Sequence, residues 1–366
     1  MHKYEVDTPA AVIDLDIMER NVSDMAAFAR DNGVQLRPHI KTHKVPEITR
    51  LQLEAGAVGI TCAKLSEAEV MADMAGAKDI FIANMIVGES KIRRLLNLAE
   101  RIRISAGVDS VDASQPISDA AVQRGLKVPV LIKVDVGLER TGVLYGKPAV
   151  ELAKKVKEMP GLELSGIYTH EGHVYGAKSP ERMRELALES GRRIVQTANM
   201  ITEAGIETDT ISVGATPSAK ITCTVPGITE TRPGTYVFDD FYQIKLGAAT
   251  EQDCAFTVLA TVISVPAPDR AVIDAGTKSF FSDKSSDFGA YGLIKGMPHL
   301  TLVRAYEEHG VIKVDPSVEK GLKVGDKLEI IPNHVCPAVN LFDELIGVRN
   351  NTVTLIWKVA ARGMLR

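Results

Sequence analysis

The stretch DIFIANMIVGESKIRRLLNLAERIRISAGV, residues 79–108, contains the repeating unit that decides the fold. Its two apolar runs, DIFIANM and RIRISAGV, are typical of parallel strands that are buried on both faces. The amphipathic segment ESKIRRLLNLAERI between them favours a helix that crosses from one strand to the next. The stretch therefore predicts one strand–helix–strand unit of a parallel sheet.

Runs of the same kind recur from about residue 17 to residue 240 and alternate with helical segments. Eight strand candidates are present: VQLRPHIK, AVGITCA, DIFIANM, RIRISAGV, PVLIKVDV, LELSGIYTH, TDTISVGAT and TRPGTYVF. Eight strand–helix units predict an α/β fold with a (β/α)8 TIM barrel. An open, doubly wound parallel sheet is the competing interpretation of the same pattern.

The sequence changes in character after about residue 245, where β-branched runs such as HGVIKV and NTVTLIWKVAARG are separated by turn signals. These runs predict a second, mostly antiparallel β domain. The segment TPAAVIDLDI is also strand-like and precedes the first barrel helix, so it can join that second domain. We expect a barrel domain at residues 13–244 and a β domain formed by residues 1–12 and 245–366.

The composition excludes several classes of function. A chain of 366 residues with 45% hydrophobic content is an ordinary globular protein, and its net charge of -4 argues against a general nucleic-acid binder. No apolar run approaches the roughly 18 residues of a membrane span, and the polar start MHKYEVDTPA lacks a signal-peptide core. The four cysteines lack CxxC spacing, which argues against a disulfide framework. We expect a cytoplasmic enzyme that binds neither nucleic acid nor membranes.

A basic cluster ends the first predicted strand, in the segment LRPHIKTHK. If residues 34–41 form a strand, its period of two places Arg37, His39 and Lys41 on one face. A lysine at the carboxyl end of a barrel strand could form a Schiff base with a carbonyl substrate or with pyridoxal phosphate. The competing interpretation is a solvated lysine that pairs with a carboxylate. Other polar residues at predicted strand ends are Asp135, Arg140, His170, His173, Thr216 and Ser218.

Two glycine-containing turns follow the last two barrel strands, which is the usual phosphate corner of this barrel. SVGATPSAK supplies Gly214, Thr216 and Ser218, and RPGTY supplies Gly234 and Thr235. Small residues of this kind present backbone N–H groups and hydroxyls to a phosphate. Either turn alone could merely reverse the chain, but the two together predict a phosphate site.

Seven motifs carry a resemblance to a known family: TPAAVIDLDIMERNV, LRPHIKTHK, VDVGLERTGV, GIYTHEGH, RPGTYVF, DAGTKSF and PNHVCPAVNLFD. Together they resemble the D-threonine aldolase and D-serine dehydratase family, which consists of pyridoxal-phosphate enzymes with the alanine-racemase barrel. The motifs extend over nearly the whole chain. The resemblance implies an alanine-racemase-type barrel, a β domain that carries a metal pair, and a head-to-tail homodimer.

The resemblance also implies roles for individual residues. The lysine after RPH carries the cofactor in this family, which implies Lys41. His170 resembles the histidine that stacks on the cofactor ring, and Arg232 resembles the arginine that meets the pyridine nitrogen in alanine racemase. Arg232 could equally be a turn-stabilising arginine, Arg140 a surface ion-pair partner, and Tyr168 a core residue. The expected cofactor-binding residues are Lys41, His39, Arg140, Tyr168, His170, Gly214, Thr216, Arg232, Gly234 and Thr235.

The motif NHVC places His334 and Cys336 two residues apart. On a strand both side chains would point the same way and could share one metal ion, although two unrelated core residues are the commoner explanation of such a pair. In the family the equivalent pair binds a divalent ion, and the His–Cys version is that of the zinc-dependent dehydratases. A thiolate with an imidazole favours zinc, with manganese or cobalt as alternatives.

The resemblance implies a lyase that acts on small D-β-hydroxy-α-amino acids. Cys336 favours the dehydratase reaction of D-serine or D-3-hydroxyaspartate, which gives an α-keto acid and ammonia. The alternative is retro-aldol cleavage of the D-threonine type, which gives glycine and an aldehyde. A racemase would need a second acid or base across the ring and gains nothing from a metal. A non-catalytic pyridoxal-phosphate carrier is disfavoured because such carriers lack the β domain.

Overall fold

The computed structural model describes residues 1–281, 288–315 and 321–366. The chain divides into two compact units, which we call the β unit and the barrel unit. The β unit comprises Met1–Val22, Thr42–Val45 and Thr235–Gly363, and the barrel unit comprises Ser23–Lys41, Pro46–Gly234 and Met364–Arg366. The predicted domain limits, 12/13 and 244/245, each differ by ten residues from the unit limits 22/23 and 234/235.

The strands are numbered in chain order. They are β1 (Ala10–Asp14), β2 (Gln35–Leu36), β3 (Ile60–Cys62), β4 (Asp79–Met85), β5 (Arg103–Val108), β6 (Val128–Asp135), β7 (Val143–Leu144), β8 (Leu162–Tyr168), β9 (Thr210–Val213), β10 (Glu230–Thr231), β11 (Phe256–Ala267), β12 (Arg270–Ile273), β13 (Gly292–Ile294), β14 (Leu300–Ala305), β15 (Gly310–Val314), β16 (Lys327–Pro332), β17 (Glu344–Arg349) and β18 (Thr352–Lys358).

The α-helices are numbered in the same way. They are α1 (Leu15–Asp31), α2 (Pro46–Glu54), α3 (Leu65–Val70), α4 (Glu89–Ala99), α5 (Val111–Gln123), α6 (Lys147–Lys157), α7 (Pro180–Glu203), α8 (Thr216–Thr222), α9 (Phe241–Lys245), α10 (Thr277–Phe280) and α11 (Val335–Val339). A π-helical turn, Met71–Ala75, continues α3, and 3-10 turns occupy Lys3–Glu5, Gly172–Gly176, Thr235–Val237 and Glu251–Asp253. None of the helices in the described part of the chain has the length and apolarity to cross a membrane.

The barrel unit contains a parallel sheet in the order β2-β10-β9-β8-β6-β5-β4-β3. The sheet closes on itself where His39 forms a parallel bridge with Thr61. Two backbone hydrogen bonds make this closure, from Ile40 N to Thr61 O at 2.9 Å and from Thr61 N to Pro38 O at 2.8 Å. The predicted (β/α)8 barrel is therefore confirmed, and the open doubly wound sheet is wrong because such a sheet has two free edges.

The first barrel strand is shorter than the predicted run 34–41, because regular pairing is limited to Gln35–Leu36. Pro38 in this segment and Pro233 in the facing segment have no N–H group for a regular ladder. Single hydrogen bonds nevertheless continue, since His39 N donates to Pro233 O at 2.9 Å. Burial also keeps its period of two up to Lys41. The predicted shared face of Arg37, His39 and Lys41 therefore holds without a continuous strand.

The β unit is built on a mixed sheet in the order β14-β15-β12-β11-β1-β17-β18, with β16 pairing β11 and β13. The N-terminal strand β1 lies between β11, to which it is antiparallel, and β17, to which it is parallel. The other strand pairs described in this sheet are antiparallel. The structure confirms the mostly antiparallel β domain and the assignment of TPAAVIDLDI to it.

A buried ionic cluster joins three barrel strands. Arg37 donates from Nη1 to Asp79 Oδ1 at 2.6 Å and from Nε to Glu230 Oε2 at 2.7 Å. The side chains of Arg37 and Glu230 are only 11% and 3% exposed. A Cβ atom at Gly59 would lie 2.3 Å from Arg37 Nη1, so a glycine is needed to admit the guanidinium. The cluster fixes β2 against β4 and β10.

Replacing Arg37 by Met should lower the free energy of unfolding by about 3–5 kcal/mol, because the substitution leaves the Glu230 carboxylate buried without its cation. Arg103→Met is a matched control, since Arg103 also pairs with Asp79, at 3.7 Å, but is 70% exposed. The control should cost about 0–1 kcal/mol. Urea unfolding of both variants measures the difference. Equal losses of unfolding free energy would contradict a stabilising role for the buried ionic cluster.

Candidate functional site

Lys41 lies in the turn at residues 40–43, directly after the first barrel strand, with a half-buried side chain. The Nδ1 atom of His39 accepts the Lys41 backbone N–H at 3.4 Å, so this histidine shapes the turn that presents the lysine. His43 and Lys44 follow in the β unit and are buried, 0% and 5% exposed. The structure therefore separates Lys41 and His39, in the barrel unit, from the two basic residues that follow.

His170 follows β8 and is held in one tautomer by the backbone of Gly214. Its Nδ1 lies 2.5 Å from Gly214 O, and a carbonyl oxygen can only accept, so Nδ1 carries the proton and Nε2 does not. Burial, followed by the positive charge of Lys41, lowers the pKa of His170 to about 3. The imidazole is therefore neutral at physiological pH and presents an uncharged, planar ring with an unprotonated Nε2.

Arg232 lies after β10, 4% exposed, in the interior of the barrel unit. Its Nε donates to Ser212 Oγ at 2.7 Å and its Nη2 donates to Thr169 O. The guanidinium carbon also lies 5.1 Å from the centroid of the Tyr168 ring. These contacts fix the guanidinium against the barrel wall, beside β8 and β9.

Tyr168 ends β8 and is 1% exposed. Its ring meets Phe81 edge to face with centroids 4.9 Å apart, and a Cβ atom at Gly107 would lie 2.1 Å from its hydroxyl. That hydroxyl is buried without a hydrogen-bond partner in the described part of the chain. The barrel interior therefore holds a polar atom that its own described residues leave unsatisfied.

Lys133 is a second interior lysine that sequence analysis did not single out. It lies on β6, 6% exposed, and its Nζ donates to Thr141 Oγ1 at 2.5 Å. Burial, followed by the nearby cations Arg140 and Arg232, lowers the pKa of Lys133 to about 8. A lysine within the apolar run PVLIKVDV was the available signal. Arg140 is exposed, but it lies close enough to Lys133 to contribute to the lowered pKa of that amine.

Glu171 is another residue that the sequence did not reveal, and it organises the first glycine turn. It is fully buried, and it accepts Gly214 N at 3.1 Å and the Ser218 hydroxyl at 2.8 Å. Burial raises the pKa of Glu171, and these two donors oppose that rise. Gly214 thus donates its N–H to Glu171, and Thr216, the first residue of α8, remains half-buried beside it.

Several predicted polar residues have structural contacts. Asp135 accepts the backbone N–H groups of residues 137–139 at 2.9–3.2 Å, so it shapes the loop that carries Arg140. His173 Nε2 lies 3.3 Å from Ser190 Oγ on α7. Gly234 is buried and ends the central segment of the barrel unit, whereas Thr235 belongs to the β unit.

The candidate metal pair has a different backbone from the one expected. His334 is the N-cap residue of α11 and Cys336 is the second residue of that helix, so the prediction that both lie on a strand is wrong. Strand β16 ends at Pro332, before the pair. Both side chains are half-buried. His334 contacts Tyr242 edge to face, with ring centroids 6.1 Å apart.

Three polar contacts hold this pair from within the β unit. The backbone N–H of Val335, between the two candidate ligands, donates to the buried Asp240 carboxylate at 3.0 Å. The Cys336 sulfur lies 3.2 Å from Thr42 Oγ1 and 3.8 Å from Thr235 Oγ1. Asp240 and Thr42 are close to the pair only in the folded chain, so the motif NHVC gave no indication of them.

The chemistry of both groups of residues fits the cofactors that the sequence predicts. An amine, a neutral imidazole, a buried guanidinium and an unsatisfied tyrosine hydroxyl in the barrel unit suit pyridoxal phosphate. A thiol and an imidazole in the β unit suit a divalent metal such as zinc. No cluster of three or more potential metal ligands occurs among the residues that the structure describes. A two-residue site leaves coordination positions for water and substrate.

Comparison with known proteins gives consistent matches over almost the whole chain. Residues 13–240 match the family described as alanine racemase, N-terminal domain, and residues 255–348 match the putative serine dehydratase domain. D-threonine aldolase of Arthrobacter sp is 38% identical over 363 residues, which cover 99% of this chain and 94% of that protein. D-threo-3-hydroxyaspartate dehydratase of Delftia sp. (strain HT23) is 36% identical over 349 residues, 90% of this chain and 91% of that protein.

A solved structure is also similar to this chain over almost its whole length. It is a cysteine-to-alanine variant of a D-threo-3-hydroxyaspartate dehydratase in the metal-free form. Its TM-score is 0.90 at 32% sequence identity, and the match covers 98% of each chain. The similarity therefore includes both the barrel unit and the β unit.

The depressed pKa of Lys133 predicts a pH-dependent stability. The pKa of this amine is about 8 in the folded chain and close to the ordinary lysine value of 10.5 in the unfolded chain, so the unfolded chain binds more protons between these pH values. Stability should therefore rise with pH through this window. In the cofactor-free protein, Lys133→Met should remove that rise. Relative to wild type, the free energy of unfolding of the variant should be higher at pH 7 than at pH 10 by on the order of 1–3 kcal/mol.

Urea unfolding at both pH values measures this effect. Lys127→Met, at an exposed lysine of the same chain segment, is the control and should give the same difference from wild type at both pH values. If the Lys133→Met and wild-type stability curves run parallel from pH 7 to pH 10, Lys133 does not titrate in this window.

Proposed function

The chain belongs to the alanine-racemase-fold family that includes the D-threonine aldolases and D-serine dehydratases, and from this premise we propose its reaction. It is a pyridoxal-phosphate-dependent, divalent-metal-assisted lyase that acts on D-β-hydroxy-α-amino acids. The leading reaction is β-elimination to an α-keto acid and ammonia. The observation that carries the proposal is that Lys41, the neutral His170 and the fixed guanidinium of Arg232 all follow strands of one barrel.

The cofactor would be held by residues of the strand ends and of the two glycine turns. They are Lys41, His39, Arg140, Tyr168, His170, Gly214, Thr216, Arg232, Gly234 and Thr235. When bound, pyridoxal phosphate supplies an electron sink for the negative charge that develops at the substrate Cα. Arg232 would meet the pyridine nitrogen as a fixed cation, and a cation there keeps that nitrogen unprotonated.

Lys41 has two roles in the proposed reaction. Its amine would attach the cofactor in the resting enzyme, and once the substrate's amino group has displaced it, the freed amine would take the proton from the substrate Cα. His39 contributes by shaping the turn, because its Nδ1 accepts the Lys41 backbone N–H. His170 is neutral and therefore adds no second positive charge beside the amine.

His334 and Cys336 would hold the divalent metal. A borderline-soft ion with imidazole and thiolate ligands is most simply zinc, and manganese and cobalt are the alternatives. The metal would supply Lewis-acid polarisation of a hydroxyl group. Support for a metal in this family comes from the dehydratase variant described above, which lacks a cysteine and is in the metal-free form.

Retro-aldol cleavage is the second candidate reaction. In that reaction a base takes the proton of the β-hydroxyl group and the Cα–Cβ bond breaks, giving glycine and an aldehyde. The similarity to the Arthrobacter D-threonine aldolase, at 38% identity, favours it. The cysteine at position 336 favours elimination, because the His–Cys pair is the version found in the dehydratases.

A homodimer and a cytoplasmic location are further proposals. The homodimer follows from the family resemblance, and the cytoplasmic location is the default for an enzyme of ordinary globular composition. The expected partner is a small D-amino acid, rather than a nucleic acid or a membrane.

One assay decides between the two reactions. The purified chain, supplied with pyridoxal phosphate and zinc, is incubated separately with D-serine and D-threonine. We expect pyruvate from D-serine and 2-oxobutyrate from D-threonine, because Lys41 removes the Cα proton and hydroxide leaves Cβ. Lys41→Ala is the blank and should form neither product. Glycine and acetaldehyde as the only products would establish the retro-aldol reaction instead.

The metal assignment predicts that Cys336→Ala and His334→Ala lose bound zinc, since each substitution removes one of two protein ligands. Zinc per chain after dialysis, measured by atomic absorption, should fall well below the wild-type value. Cys254→Ala is the control, because Cys254 is also a free thiol but is buried elsewhere in the β unit. Retention of one zinc ion per chain in Cys336→Ala would show that the pair does not bind the metal.

A further inference from the structure

Thr42 is a buried residue whose hydroxyl contacts one of the two candidate metal ligands, and we infer that it is a positioning residue for metal binding. The inference rests on the proposed function, because it concerns the metal that His334 and Cys336 would hold. Its role is to place the Cys336 sulfur before the metal arrives. Thr42 would contact neither the metal nor the substrate, so it acts through Cys336.

The burial of Thr42 makes the contact with sulfur significant. Thr42 is 0% exposed, and its Oγ1 lies 3.2 Å from Cys336 Sγ. A buried hydroxyl without a hydrogen-bond partner is unfavourable, so the folded chain favours keeping this pair together. Thr235 Oγ1 is a second hydroxyl near the same sulfur, at 3.8 Å, and is the weaker neighbour. The sulfur therefore lies against two hydroxyl groups.

The direction of this hydrogen bond suits a metal ligand. A metal-bound sulfur is a thiolate, which carries no proton and can only accept. The Thr42 hydroxyl then donates, and the remaining sulfur lone pairs stay available for the metal. A valine at this position would have almost the same shape but could not donate.

The backbone of the pair is already fixed by a different residue. Asp240 is fully buried and accepts Val335 N at 3.0 Å and Gln243 N at 3.1 Å. It therefore anchors the peptide group between His334 and Cys336 to the start of α9. With that backbone held, rotation about the Cys336 Cα–Cβ bond is the freedom that remains, and the Thr42 contact restricts it.

A purely structural role for Thr42 is the alternative, and the chain provides a matched example of one. Thr49 is also 0% exposed, and its Oγ1 donates to the Met71 sulfur at 3.3 Å in the barrel unit. A Thr→Val change at either position removes a buried hydroxyl beside a sulfur atom. Only the change at Thr42 affects a candidate metal ligand.

The experiment titrates the full-length chain with zinc and, separately, with cobalt(II), in the wild type and in Thr42→Val, Thr42→Ser and Thr49→Val. Residues that orient metal ligands typically contribute 10–100-fold to affinity, so Thr42→Val should raise the Kd for zinc by about that factor. It should also change the sulfur-to-cobalt charge-transfer band, which reports on the bound thiolate. Thr42→Ser keeps the hydroxyl and should restore both properties.

The outcomes separate this inference from the proposed function. Equal zinc affinity in Thr42→Val, Thr49→Val and wild type would overturn the inference while leaving the metal site intact. If the wild type binds neither zinc nor cobalt, the metal-assisted function fails and the inference fails with it. Thermal unfolding of the metal-free variants is the check on folding, and both valine variants should lose similar stability.

Discussion

The structure depends on a chain of buried polar contacts inside the barrel unit. Arg37 pairs with Glu230 at 2.7 Å, Glu230 accepts the Ser212 hydroxyl at 2.7 Å, and Ser212 in turn accepts Arg232 Nε at 2.7 Å. Buried charges are tolerated only when they are paired and hydrogen-bonded, so each member constrains the next. This series of contacts links the Arg37–Glu230 salt bridge to the guanidinium of Arg232, which we assign to the cofactor. The orientation of Arg232 is thus set by residues that do not touch the cofactor.

The parts of this arrangement that the sequence predicted are those governed by local periodicity. Seven of the eight apolar runs overlap a barrel strand well, because parallel strands buried on both faces need continuous apolar segments, whereas the eighth, TRPGTYVF, meets β10 only at Thr231. The alternation through Arg37, His39 and Lys41 also survives, although proline interrupts the ladder, because the backbone stays extended and its burial alternates. A period of two is a property of the backbone and does not need the complete hydrogen-bond pattern.

The parts that the sequence did not predict depend on contacts between distant residues. Thr42 and Cys336 are 294 positions apart, and Asp240 and Val335 are 95 apart, so no local pattern relates them. The wrong assignment of NHVC to a strand has a local cause. His334 starts a short helix, and Pro337 lies within the first helical turn, where proline is well tolerated. Lys133 and Glu171 were missed because their burial, which gives them their altered pKa values, is a property of the fold.

The position of β1 has a consequence for how the chain is made on the ribosome. This strand is synthesised before both of its partners, since it pairs with β11 through Ala10 and Leu259 and with β17 through Val12 and Ile346. At typical translation rates of about 5–20 residues per second, β17 follows on the order of tens of seconds later. Until β11 is synthesised the apolar segment AAVI has neither of its partner strands, and until β17 follows it has only one. The sheet of the β unit therefore cannot be completed around β1 until β17 has been synthesised, so we expect this sheet to form late in synthesis.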